Sequence, residues 1–453
     1  MPTPASFLRA TAASGVLACA GLAPAQTAPV PAPVQPAAPT PAPVLKDADG
    51  RTLRRAPTGH LTNYYEDKVA PYTLPDPLVL AGGGAVRDAD TWFKQRRPEL
   101  LYLYRREIYG RVPTTVPKVR FEVVEKDVPA FDGAAMRQRI VAHFGDDNSG
   151  VSANLMLYTS AMGIGPWPLV LHISFGGDPA LPRFPAPVVP LGAAFSGPPR
   201  RGSDMGPAAD IVARGYAYAI ISYAEMQPDR AGTKTEGIMG LALPPGAKEP
   251  AAAEWGTIAV WAWGLSRFMD YLETVPMIDV RRVALVGHSR LGKTVLWSGA
   301  TDPRYALIYS SQSGEIGAAL SRRDFGETVD DMATNYGYQF AGNLQKYIGH
   351  WGDMPHEGHL LISLSAPRPV FISGGSGDQW SDPHGMFFAT VAAGPVWRLL
   401  GKSGLGTTEM PALDVPVAAG TLAYLNHNGP HVISPLDWKT FLDFADRHLQ
   451  PAR

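Results

Sequence analysis

The chain has 453 residues, is 45% hydrophobic and 18% charged, and carries a formal net charge of −1. That length allows a large buried core, and the balanced charge points to neither a nucleic-acid partner nor an acidic membrane surface. The single cysteine, Cys19, lies near the N-terminus, so the body of the chain holds no disulfide and no thiolate metal site.

Residues 1–25 join one positive charge, Arg9, to an apolar run of small residues, with "APA" at Ala23–Ala25 as a cleavage site. This reads as an export signal, too short to span a membrane, and places the mature protein in the periplasm or outside the cell. "VLAC", Val16 to Cys19, also resembles a bacterial lipoprotein box, which would end the signal at residue 18 and lipidate Cys19. Simple export is the preferred reading of the two. Residues 26–46 are rich in Pro and Ala, a composition that favours extended polyproline II, and are set aside as a leader. Residues 47–453 read as one catalytic domain without internal repeats.

Within that domain, "PKVRFEVVEKDVPAF" and "AAMRQRIVAHFG" alternate as two strands that would pair antiparallel. "WPLVLHIS", Trp167 to Ser174, is continuously apolar, as in a strand buried on both faces, and runs into a loop carrying Gly176 and Gly177. "AADIVARGYAYAIISY" predicts a helix ended by Gly215 and then a buried strand. Residues Glu254 to Val275 predict a long helix, with Trp255, Trp261 and Trp263 assigned to the core rather than to a binding stripe. "RRVALVG", "YALIYSSQSG" and "PRPVFISGGSGD" are further strands, and a last strand, loop and amphipathic helix close the chain. The alternation predicts an α/β fold: a mostly parallel, doubly wound sheet behind antiparallel N-terminal strands, in three αβα layers. In such sheets reactive residues gather at the carboxyl ends of the strands.

One of those ends reads "VALVGHSRLGKTVLWSGA". It follows the strand–turn–helix layout of a serine nucleophile, but Leu291 stands where G-x-S-x-G has its second glycine, which comes one residue later as Gly292. The spacing suggests that Gly292 lets the helix pack close to the sheet. A serine hydroxyl needs a general base and an orienting acid, and the chain order Ser, Asp, His is that of α/β-hydrolases. Ser289 is the expected nucleophile rather than a mere helix cap. Asp378, directly after a buried strand, is the expected acid; Asp382 lies further on, and Glu315 in "SSQSGEIG" is a second candidate. His431 is the expected base, with His427 as the alternative in the same loop. "HEGH", His356 to His359, imitates a zinc motif but sets its histidines three apart rather than four, and no metal or cofactor is expected. Arg290 and Lys293 either serve an acyl-transfer site as charge stabiliser and substrate contact or are an ordinary ion-paired arginine and a surface lysine.

The block from Gly287 to Val329, with its G-x-S-R-x-G-K signature, resembles the glucuronoyl esterases of carbohydrate esterase family 15, and the similarity extends through "LSAPRPVFISGGSGDQWSDPHG" to "NGPHVISPLDW". The resemblance implies an α/β-hydrolase that cleaves esters between 4-O-methyl-glucuronic acid on xylan and lignin alcohols; separately, the chain is expected to act as a monomer. It further implies Ser289 as nucleophile, Arg290 as oxyanion stabiliser, His431 as base, and Lys293, Glu327 and Trp380 as sugar contacts. Some members carry the acid as a glutamate after the nucleophile helix; Gln312 occupies that position here, which leaves the role to Asp378. The segment "MATNYGYQFAGNLQKY" also departs from relatives, which tend to be more aromatic there. A competing reading is an acetyl xylan esterase or general carboxylesterase of the same fold.

Overall fold

The computed structural model describes residues 46, 50–52, 54–55, 61–180 and 205–451. The export signal, the lipid-attachment reading at Cys19 and the Pro/Ala-rich leader lie outside the described residues, apart from Lys46.

Nine strands form one sheet: β1 (Val119–Ala130), β2 (Ala135–Phe144), β3 (Val151–Ser160), β4 (Trp167–Ser174), β5 (Ala217–Ser222), β6 (Ile278–His288), β7 (Tyr305–Ser311), β8 (Val370–Gly375) and β9 (Leu422–His427). Their spatial order is β9-β8-β7-β6-β4-β5-β3-β2-β1. The six from β9 to β5 run parallel, and β3, β2 and β1 continue the sheet antiparallel. The expected antiparallel start is therefore present, with one strand more than expected. β3 was not singled out by the sequence.

The sequence patterns explain the layering. Every residue of β4, β8 and β9 is buried, as a strand covered on both faces requires. On one face, helices α1 (Arg97–Glu107), α3 (Thr257–Leu272), α4 (Arg290–Thr301), α6 (Gly358–Ser363) and α7 (Pro383–Leu399) share the core that holds Leu171, Leu285 and Ile308. On the other, α2 (Ala208–Ala213) and α8 (Pro435–Leu449) cover Val170, Val286 and Leu425. Alternate side chains of one strand thus feed two separate cores, which is the doubly wound, three-layer arrangement expected. Trp255 and Trp261 are fully buried and Trp263 packs against the same core, so none of the three forms a surface stripe.

The carboxyl ends of β4, β6, β7, β8 and β9 point to one rim of the sheet. Short segments after β7, including α5 (Val329–Asn335), complete that rim. Among the described residues no helix is long and apolar enough to cross a membrane.

Candidate active site

Strand β6 ends at His288 and α4 begins at Arg290, so Ser289 is the whole of the turn. Its backbone takes φ 59° and ψ −127°, a conformation that costs a non-glycine residue energy and persists only where neighbours enforce it. The enforcement is visible. The Ser289 N–H donates to the carbonyl of Ser311 on β7 at 2.8 Å, and the Lys293 N–H donates back to the Ser289 carbonyl at 3.1 Å. Although Ser289 stands at the N-cap position of α4, its hydroxyl makes no capping bond. The reading of a serine that serves only to cap a helix is thereby set aside.

The displaced glycine has a structural reason. A β-carbon on Gly292 would lie 2.8 Å from the Ser311 carbonyl oxygen and 3.0 Å from the Ser313 β-carbon. Only a glycine lets the first turn of α4 rest directly on the end of β7, as its spacing suggested. Gly287 is pinned in the same way, with the Leu291 carbonyl 2.3 Å from where its β-carbon would stand.

Beyond β8, Asp378 is buried and accepts a hydrogen bond from the Ser381 hydroxyl. His431, in the loop between β9 and α8, places Nδ1 2.5 Å from Asp378 Oδ2. The acid and base that the sequence singled out are thus in contact, and His431 shares the rim cavity with Ser289. A ring nitrogen held by a carboxylate fixes the imidazole's tautomer and leaves the other nitrogen for the nucleophile. His427 is elsewhere: its Nδ1 lies 2.8 Å from Asp437 Oδ2 at the start of α8, with both side chains buried. Asp382 caps α7 through the Gly385 N–H and pairs with Arg323 at 2.8 Å.

Glu315 is fully buried, accepts from the Ser321 hydroxyl, and is held well above the usual carboxylate range by burial. It does not line the cavity that holds Ser289 and His431. Gln312, at the position occupied by a glutamate in some resembling proteins, donates from its amide nitrogen to the Val432 carbonyl and so tethers the loop that carries His431. The "HEGH" residues are engaged in packing. His356 stacks on Tyr104 at 5.4 Å, Glu357 accepts from Ser321 N–H and Arg322, and His359 Nε2 lies 2.8 Å from the Pro75 carbonyl.

The two cations beside Ser289 have buried partners. Lys293 Nζ is 3.3 Å from Glu327 Oε2, and the Glu327 N–H donates to the Trp380 carbonyl at 2.8 Å. Lys293, Glu327 and Trp380 therefore meet on one wall of the cavity. Burial raises the Glu327 pKa, and Lys293 only partly offsets this. Arg290 Nη1 lies 2.5 Å from Asp229 Oδ2. Burial is the strongest influence and works against its charge, but Asp229 together with Tyr223 and Tyr338 more than offsets it, and the guanidinium stays protonated. Neither cation is a free surface group. The cavity measures about 1220 Å³, enough for a sugar ring and part of its aglycone. Tyr336 and Gln339, from the segment that departs from the resembling family, also line it.

Comparison with known proteins fits this arrangement. Residues 250–401 match the family model "Glucuronyl esterase, fungi". Over 400 residues the chain is 36% identical to carbohydrate esterase MZ0003 from an unknown prokaryotic organism, covering 85% of this chain and 92% of that one. The glucuronoyl esterase structure from Solibacter usitatus superposes with a TM-score of 0.77 at 39% identity, over 84% of this chain and 99% of its own. A family 15 glucuronoyl esterase from Teredinibacter turnerae follows with a TM-score of 0.74 at 32% identity, over 88% and 96%. The chain belongs to carbohydrate esterase family 15.

Two parts of this esterase's rim escaped the sequence. Asp229 sits in "QPDRAG", which reads as an ordinary turn, and nothing in its neighbourhood announces a partner 61 residues away. The His288 ring lies 4.4 Å from that of His431, a contact set by the sharp turn at Ser289 rather than by any motif.

Proposed function

We propose that this esterase hydrolyses esters of glucuronic acid, including the 4-O-methyl form that decorates xylan and is joined to lignin alcohols. The observation that carries the reading is the wall formed by Lys293, Glu327 and Trp380 next to Ser289. An ammonium and a carboxylate suit vicinal hydroxyls, and the indole offers a face to a pyranose. The carboxyl carbon of a uronate held there lies towards the serine.

In this reading Ser289 attacks the uronate carbonyl while His431 Nε2 takes its proton, with Asp378 steadying the imidazolium. Arg290 and the N-terminal end of α4 stabilise the oxyanion. The tetrahedral intermediate collapses, His431 protonates the departing alcohol, and a glucuronoyl ester is left on Ser289. Water, deprotonated by His431, attacks that ester, and glucuronate leaves as Ser289 recovers its proton. Export, with action on glucuronoxylan as a monomer, is part of the same proposal.

Hydrolysis of simpler acyl esters is a second reading, favoured by one observation: a relative 36% identical, from a marine bacterial metagenome, is described as a promiscuous family 15 esterase. Rates on benzyl glucuronate and on nitrophenyl acetate separate the two. The glucuronate ester should be turned over with the higher kcat/KM, and the reverse order would leave the simpler-ester reading in place. Ser289→Ala should abolish both activities.

A further inference from the structure

Arg290 is gripped from three sides. Its guanidinium carbon lies 5.9 Å from the Phe175 ring and 5.7 Å from the Tyr336 ring, and Nη1 meets Asp229 at 2.5 Å. Asp229 has no exposed surface, whereas Arg290 keeps 15% of its side chain exposed, so the pair has a buried anionic end and a cationic end towards the cavity. The carboxylate is itself fixed by neutral donors. Oδ1 accepts from the Tyr338 hydroxyl at 2.9 Å and from Gln339 Nε2 at 3.0 Å, and Oδ2 accepts from the Tyr223 hydroxyl at 3.1 Å. A carboxylate with this many donors does not move, and neither does the guanidinium bonded to it.

The chemistry explains why such a partner would matter. The proposed substrate is a neutral ester at the reacting carbon, the oxyanion is a transient charge, and the product is a stable carboxylate. A bare guanidinium in a buried cavity, with Lys293 three residues away, would favour the oxyanion but would hold the product just as well. A guanidinium already neutralised at one edge keeps its directed N–H donors while its net field is small.

We propose that Asp229 is the positioning residue and counter-charge of Arg290, holding the guanidinium beside Ser289 and cancelling the field that would otherwise retain the carboxylate product. The proposal rests on the reading that Arg290 serves the reacting carbonyl.

Steady-state kinetics on benzyl glucuronate test it, with free glucuronate as the inhibitor, for Asp229→Asn, Arg290→Gln and the double variant. The asparagine is nearly isosteric, and the hydroxyls of Tyr223 and Tyr338 can turn to accept from its amide. Asp229→Asn should lower kcat by about 10- to 100-fold, leave KM for the neutral ester within about threefold, and tighten inhibition by glucuronate by about tenfold. In the Arg290→Gln background the same change should cost less than about threefold more, because its effect passes through Arg290. An equal loss of kcat in both backgrounds, or unchanged glucuronate inhibition, overturns the proposal.

If Asp229→Asn fails to fold, Tyr338→Phe removes one donor from the carboxylate and no charge. It should lower kcat by about three- to tenfold without tightening glucuronate inhibition, and an unchanged kcat overturns the positioning role. Wild-type kcat in Arg290→Gln would instead remove the underlying reading, and the proposal with it.

Discussion

Glu315 and Asp378 both follow a strand of the sheet, but only Asp378 touches a histidine. Their environments predict opposite mutational outcomes. Glu315 is held largely neutral by burial, so Glu315→Gln replaces a protonated acid with its nearest neutral likeness. Its kcat should stay within about threefold of wild type. Asp378→Asn takes away the charge that steadies His431 and should lower kcat by roughly 1,000- to 10,000-fold. Kinetics of the two variants on one glucuronate ester decide between the acids, and a large loss at Glu315 would reverse the assignment. At this scale the sequence was partly legible. Residue type, chain order and the carboxyl ends of strands were enough to select Ser289, Asp378 and His431. The sequence favours His431 over His427 because it precedes the last helix; His427 is the final residue of β9 and pairs with Asp437, whereas His431 meets Asp378. Asp229 was illegible, since a lone aspartate in a turn has no periodic or spacing signature.

Helix α4 and strand β7 touch through Gly292, and that contact fixes Ser289 in its strained backbone. Gly292→Ala should destabilise the protein by about 1–3 kcal/mol and lower kcat further than that loss of stability explains. Chemical denaturation and kinetics on the folded protein separate the two effects. A variant with wild-type kcat would show that the close approach is structural only. Regular elements were well marked in the sequence where their burial was uniform. β4, β7, β8, β9 and the second half of β6 are largely buried runs, and α3 carries a clear helical period. β3 and α7 were not singled out. Interior β3 is buried on most of its length and so loses the alternation that marks an edge strand, and α7 contains Pro395, which the sequence offers as a break.

Across the whole molecule, acid sensitivity follows from two histidines far from the chemistry. Burial lowers both His356 and His359 from 6.5 to about 4. The unfolded chain therefore binds more protons than the folded one between about pH 6.5 and about pH 4, and stability falls on acidification through that window. Each contributes a loss of about 2 kcal/mol between about pH 7 and about pH 5. Glu357 and Asp382, raised by burial, act in the opposite sense as they take up protons. The contribution of His356 is isolated by comparison with His356→Phe, which keeps a ring on Tyr104. Urea unfolding at the two pH values should show a smaller acid loss in the variant, by about 2 kcal/mol. Equal losses would place the acid sensitivity elsewhere. The fold class and layer order were legible at this scale because strands and helices alternate; the pairing order of the nine strands was not, since it depends on contacts between distant segments.

The proposed nucleophile, acid and base hang from β6, β8 and β9, and they are made in that order. A growing chain acquires its serine first and its histidine last. Ser289 also needs β7 to hold its backbone, and Asp378 and His431 can meet only once β8 and β9 are both in place. Incomplete chains are therefore latent: they carry the reactive hydroxyl without the means to activate it. The ability to cut an ester would appear only when the last parallel strand is laid down, so activity itself reports that the sheet is complete.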